Sequence, residues 1–213
     1  MEILARIAQG LEAGDDAAVP QLTRDALTQG IAATTVLDDG LIAGMNAVGE
    51  KFRVHDIFLP DVLLAARAMY AGLEVLKPLL ASAGVSSRGR VVIGSVQGDL
   101  HDIGKNLVGI MLRGAGFEVI DLGNDVAAEK FVAEAKKREA RVIGMSALLT
   151  TTMPVMKEVV DLLKKENLGG RIKTLIGGAP VSQDYAAEIG ADAYGYDCAQ
   201  AVESVKKLAA SAD

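Results

Sequence analysis

Asp99, His101 and Gly104 stand at the spacing Asp-x-His-x-x-Gly: a carboxylate two residues before an imidazole, and a residue without a side chain three after it. An imidazole can bind a metal through one ring nitrogen while the other donates to a carboxylate, which fixes the ring and raises its basicity. The chain has two histidines and one cysteine, too few for a zinc site with three or four nitrogen and sulfur ligands. A single histidine can still complete a metal whose other ligands come from a macrocycle. The pattern therefore points to a prosthetic group that brings its own equatorial nitrogens.

The elements around this stretch must hold it in place. The apolar run 91–96 reads as a buried strand, and Ile103, Leu107, Ile110 and Met111 read as one face of a following helix. The histidine thus falls on a strand-to-helix loop, and in an open parallel sheet such loops lie at the carboxyl ends of the strands, where ligands bind. Further short apolar runs at 117–122, 142–146, 172–176 and, weakly, 191–194 alternate with amphipathic segments near 103–114, 127–139, 153–166, 183–189 and 198–210. That alternation predicts an α/β domain over residues 89–213, a flavodoxin- or Rossmann-like five-stranded parallel sheet with helices on both faces.

Upstream the period is helical throughout. Ile3, Ile7 and Leu11 form one stripe, Val19, Leu22 and Ala26 a second, and a third helix from Thr34 or Thr35 runs through Leu37, Leu41, Met45, Val48 and Phe52. Leu59, Val62, Ala66, Met69, Leu73, Leu76 and Leu80 form the longest, with Pro60 in the first turn, where its missing N–H is harmless. Residues 1–84 are thus predicted to form an antiparallel four-helix bundle. The small and turn residues of 82–90 break the period and mark a linker and candidate hinge.

Composition narrows the function. Half of the chain is hydrophobic but only 4% aromatic, which suits helices on a parallel sheet and not a nucleic-acid stacking platform. A net charge of -6 and a pI near 5.0 argue against a phosphate-backbone partner, so no nucleic acid is expected. With one cysteine, Cys198, no internal disulfide is possible, and with no long apolar span neither membrane insertion nor export is expected; the location read from this is cytoplasmic. A Walker loop is absent, as is a Gly-x-Gly-x-x-Gly after the first strand of the sheet.

The stretch Asp99-Leu100-His101-Asp102-Ile103-Gly104 resembles the signature of cobalamin-binding domains that hold the cofactor base-off and His-on. Ser146-Ala147-Leu148 is similar to the family's Ser-x-Leu motif and Gly177-Gly178 to its paired glycines. In the helical half, residues 45–52 and 58–62 resemble the cap that precedes the cobalamin module of methionine synthase. Nearly the whole chain is similar to a free-standing corrinoid protein of a methyltransferase system.

The resemblance implies roles. His101 would bind cobalt from below, Asp99 would accept from the other ring nitrogen, and Thr152 would stand where the family has a serine hydroxyl linked to that carboxylate. Gly98, Asp102, Gly104 and Leu148 belong to the same cofactor-binding motifs. Ser146 and Thr150 would line a slot for the displaced nucleotide tail, Gly177 and Gly178 would let the backbone approach that tail, and Ala199, in the loop before the last helix, would lie near its base. Phe52, Leu59 and Val62 match apolar residues that cover the upper face of the corrin. The plainer readings are bundle core for these three, caps of the next helix for Thr150 to Thr152, and a strand-ending turn for the glycine pair.

The implied activity is that of a methyl carrier in one-carbon metabolism, incomplete as a catalyst alone, cycling between cobalt(I) and methylcobalamin. Its implied partners are a substrate-specific methyltransferase, an acceptor methyltransferase acting on a tetrahydropterin or thiol, and a reductive activation protein. Three alternatives compete: a cobalamin-binding subunit of an adenosylcobalamin-dependent mutase, a light or cobalamin sensor, and a receiver-like domain without corrinoid.

Overall fold

The computed structural model describes residues 2–82 and 87–210. It divides into two compact units, Met1–Ser87 with Gly114–Gly116, and Arg88–Arg113 with Phe117–Asp213. Residues 83–86 of the expected linker lie outside the described residues.

The first unit is helical. Helices α1 (Glu2–Glu12) and α2 (Ala18–Thr28) bury Ile3, Ile7 and Leu11, and Val19 and Ala26, as their periodicity predicts. The third rod departs from the expectation. A short α3 (Ala33–Thr35) leads into a π-helical segment, Val36–Ile42, before α4 (Ala43–Arg53). Winding of the i to i+5 kind stacks Leu41 over Val36. Both are wholly buried, whereas Leu37, expected on the buried face, is half-exposed. Gly44 lets this rod close on α1, since a Cβ there would lie 2.9 Å from Ala8 Cα. The last rod, α5 (Leu59–Ser82), starts with Pro60 in its first turn and buries Val62, Ala65, Ala66, Met69 and Leu76. These four rods are the four-helix bundle.

The second unit is a five-stranded sheet of β1 (Arg90–Ser95), β2 (Glu118–Asp121), β3 (Val142–Ser146), β4 (Lys173–Gly177) and β5 (Ala193–Gly195). All pairs are parallel, in the order β2-β1-β3-β4-β5. Helices α6 (Ile103–Gly114), α7 (Ala128–Lys137), α8 (Pro154–Lys165) and α9 (Gln183–Ile189) make the four crossovers, and α10 (Cys198–Ala210) follows β5. Parallel strands covered on both faces read as unbroken apolar runs; Val91, Val92 and Ile93 of β1 are all buried. Alternate residues then meet different helices. Gly94 faces Phe131 of α7, and a Cβ on Gly109 of α6 would lie 2.8 Å from Ile93, so α6 and α7 cover opposite faces. Phe131, Val132, Met156, Val159, Leu163, Ala186 and Ile189 join α7, α8 and α9 in one core.

The chain leaves β1 toward β2 on one side and returns to β3 on the other, so the order reverses between β1 and β3. In open parallel sheets the ligand crevice lies at the carboxyl ends of the two strands between which the order reverses. Among the described residues no helix is long and apolar enough to cross a membrane.

Candidate functional site at the carboxyl edge of the sheet

Asp99 ties the two sides of that crevice together. Its carboxylate has no exposed surface, and a buried charge is tolerated only when hydrogen-bonded. Its Oδ2 accepts from the Leu148 N–H at 2.6 Å, the Leu149 N–H at 3.3 Å and the Thr152 hydroxyl at 2.9 Å, all on the loop after β3. Its Oδ1 accepts from the His101 N–H at 3.0 Å and lies 2.8 Å from His101 Nδ1. Burial alone would raise the Asp99 pKa, but the Leu148 bond, then those from the His101 ring and amide, then Thr152, hold it well below the usual carboxylate range.

An ionised carboxylate can only accept, so a hydrogen sits on Nδ1, and in the neutral ring that leaves the lone pair on Nε2. The His101 side chain is 52% exposed, and Nε2 has no partner among the described residues. The same residues contain no cluster of three or more His, Cys, Asp and Glu able to hold a metal ion. A metal here would take one protein nitrogen and bring the rest of its ligands.

The main chain of the loop is braced as closely as the ring. Ser95, wholly buried at the end of β1, donates from Oγ to the His101 carbonyl at 2.6 Å. The loop after β2 grips three residues in succession: Asp125 Oδ1 accepts from the Gly98 N–H at 2.7 Å, the Asp125 N–H donates to the Asp99 carbonyl at 3.0 Å, and Asn124 Nδ2 donates to the Leu100 carbonyl at 3.3 Å. Gly98 has a φ of 82°, and a Cβ there would stand 3.3 Å from the Thr152 methyl. Asp102 precedes α6, and its carbonyl accepts from the Asn106 N–H at 2.7 Å.

The glycines of the expected set divide by cause. A Cβ on Gly178, at φ 125°, would fall 1.9 Å from the Ala147 carbonyl oxygen, and one on Gly177 would meet the Gly195 carbonyl at 3.0 Å. Packing within the protein accounts for both. Gly104 is different, because a Cβ there would meet nothing within 4 Å. Among the described residues nothing requires that residue to be glycine.

The remaining expected residues are distributed as follows. In the sheet register Ser95, Ser146, Gly177 and Gly195 stand side by side across four strands at the carboxyl edge. Leu148 and Thr150 are exposed on the loop after β3. Ala199 corrects its expected placement: it lies in the first turn of α10, buried, and not in the loop before it. Its neighbour Cys198 is also buried, which pushes the thiol up to about 11.

Ile103 corrects a second expectation. The sequence pattern places it on the buried face of α6 with Met111; Met111 is buried as expected, together with Lys105, Gly109 and Leu112, yet Ile103 itself is 74% exposed. With Leu100 at 70% exposure, Leu148 and Leu149, it gives the rim beside His101 an apolar character. Such a rim suits a large, flat, largely apolar group. In the helical unit Phe52 and Leu59 are half-buried and Val62 is entirely buried, while Phe58 is 69% exposed. The Phe58 N–H is capped by Asp61 Oδ2 at 2.8 Å, so Phe58 sits just outside α5.

Comparison with known proteins identifies the family. Residues 3–77 and 89–203 each match a model described as a B12 binding domain. A corrinoid protein of Desulfitobacterium hafniense strain Y51 is 43% identical over 211 residues, 98% of each chain. Trimethylamine corrinoid protein 1 of Methanosarcina mazei is 42% identical over 207 residues, 96% of each chain. Among solved structures, the methanol:cobalamin methyltransferase complex MtaBC of Methanosarcina barkeri matches with a TM-score of 0.86 and 34% identity, over 98% of this chain and 80% of that one. A cobalamin-binding protein of Desulfitobacterium hafniense DCB-2 matches at 0.80 and 32%, over 96% and 98%. The chain therefore belongs to the B12-binding family, in its two-domain corrinoid-protein form.

Proposed function

We propose that this chain is a methyl carrier that holds a corrinoid base-off and His-on, with His101 as the lower ligand of cobalt. It takes its methyl group from a substrate-specific methyltransferase and yields it to a second one acting on a tetrahydropterin or a thiol, with a reductive activation protein restoring cobalt that has become oxidised. The observation that carries the reading is the half-exposed imidazole with Nδ1 committed to Asp99 and Nε2 without a partner among the described residues, beside an apolar rim. When bound, the corrinoid supplies a cobalt centre able to receive and return methyl groups.

The protein's own residues do the rest. Asp99 keeps the hydrogen on Nδ1, and Leu148, Leu149 and Thr152 keep Asp99 ionised. Ser146, Thr150, Gly177, Gly178 and Ala199 form the carboxyl-edge slot for the nucleotide tail. By the family resemblance Phe52, Leu59 and Val62 would give the corrin apolar cover that excludes water; of these, Val62 is entirely buried within the bundle itself. A methyltransferase partner is supported by the methyltransferase complex among the structural relatives, and methyl transfer is favoured over the mutase reading by relatives named as methylamine corrinoid proteins.

Two measurements test this. Reconstituted with hydroxocobalamin, the purified chain is expected to retain about one cobalt per chain through gel filtration; a colourless, cobalt-free protein would end the proposal. Gly104→Ala adds a side chain that meets no protein atom, inside a helix where alanine is favoured over glycine by about 0.5–1 kcal/mol. The apo variant is therefore expected to be as stable as the parent or slightly more so, while its corrinoid affinity falls at least about tenfold, or ~1.4 kcal/mol. Unchanged affinity would remove Gly104 from the site.

A further inference from the structure

Lys105 is the third residue of α6, and its side chain is only 4% exposed. A cation there is disfavoured twice: burial strips its water, and the first turn of a helix carries partial positive charge. Its Nζ reaches both oxygens of Asp121, at 2.6 Å each, at the end of β2. An apolar pair of similar size would fill the same space at little or no loss of stability. What the ion pair adds is direction.

That direction leads to the histidine. Asp121 Oδ1 also accepts from the Gly123 N–H at 2.9 Å, the Gly123 carbonyl accepts from the Ser95 N–H at 3.0 Å, and Ser95 Oγ donates to the His101 carbonyl at 2.6 Å. From His101 the chain runs through Asp102 into α6 and back to Lys105, closing a ring of bonded and hydrogen-bonded links. The same loop after β2 carries Asn124 and Asp125, which hold Leu100, Asp99 and Gly98. Among the described residues the half-exposed ring of His101 is held through Asp99 and its own main chain, so the stiffness of that main chain decides how far the ring can drift from a ligand.

We infer that Lys105 and Asp121 are a positioning pair: a clamp, buried on its lysine side, that fixes the His101 main chain and so sets the balance between cobalt-bound and cobalt-free imidazole. The inference rests on the reading of His101 as the lower ligand, and its test separates the two. In the full-length chain, Lys105→Met with Asp121→Leu replaces the clamp by an apolar pair, and Asp121→Asn keeps one bond of the clamp if the double variant fails to fold.

Two quantities are read. In the apo protein, hydrogen exchange at the His101 and Asp125 amides is expected to quicken at least tenfold while exchange in the core of β3 stays unchanged. In the cobalamin-loaded cobalt(II) protein, the ratio of nitrogen-split to unsplit electron paramagnetic resonance signal is expected to fall at least threefold at unchanged cobalt stoichiometry. Parental exchange rates at both amides would overturn the clamp whatever the cobalt does, and a parental signal ratio would overturn its link to ligation. If the parent itself lacks nitrogen splitting, the axial reading and the ligation link fall together, and the exchange data alone judge the clamp.

Discussion

Asp99→Asn is expected to lower the thermal midpoint of the α/β unit by roughly 10–20 °C. Five donors converge on the two Asp99 oxygens: three N–H groups, the Thr152 hydroxyl and the His101 ring. Asparagine has one acceptor oxygen, and its amide nitrogen would turn two hydrogens toward groups that also donate. Breaking a buried charge-centred network by removing one partner costs about 3–5 kcal/mol. Because the network joins the loops after β1 and β3, the loss opens the crevice and does not merely loosen one side chain. Calorimetry of the apo protein measures this, and a midpoint within about 2 °C of the parent would mean that Asp99 is not the tie between the loops.

The acid limb of stability gives the same carboxylate a second signature. The native pKa of Asp99 lies below its ordinary value of 3.8, so between the two values the unfolded chain binds the extra proton and the native chain does not. Stability from this group is thus fully present above the ordinary value and is lost as pH falls from there toward the native one. The parent should lose stability on acidification below about pH 4 more steeply than Asp99→Asn, whose curve lacks this component.

Much of the architecture is legible in the sequence because its physics is local. The buried parallel strands are unbroken apolar runs, the bundle helices repeat at 3.6 residues, and four of the five strands fall within a residue or so of the expected runs. The site is legible only where a side chain advertises it. Asp99 and His101 are visible at their spacing and Thr152 only through the family resemblance, whereas the Leu148 and Leu149 amides that clamp Asp99 leave no trace in residue type. Ser95 hides within a strand run, and nothing in the type or spacing of Lys105 singles it out, because only the fold brings Asp121 to it. Ile103 is misread for the opposite reason, since its apolar character serves a rim and not the core. Leu37 loses its buried place to Val36 because π winding alters the register, and no composition rule announces that winding. Ala199 lies in a helix because the amphipathic segment expected at 198–210 is α10 itself, which already has Ala199 in its first turn.

His101→Ala should separate what Asp99 does for the fold from what it does for the metal. The ring is half-exposed and contributes one of the five bonds to Asp99, so its loss should cost the apo fold only about 1 kcal/mol. Function should suffer far more. Removing residues that merely orient a metal ligand typically costs 10–100-fold, so losing the ligand itself is expected to slow methyl transfer at least about 100-fold. The corrinoid should still bind through its nucleotide tail and the carboxyl-edge slot, but the nitrogen splitting in the cobalt(II) spectrum should vanish. Added imidazole, entering the space left by the ring, should restore it. Splitting that survives in the variant without added imidazole would assign the lower ligand to another group, and the proposed role of the Asp99 network in ligation would fall with it.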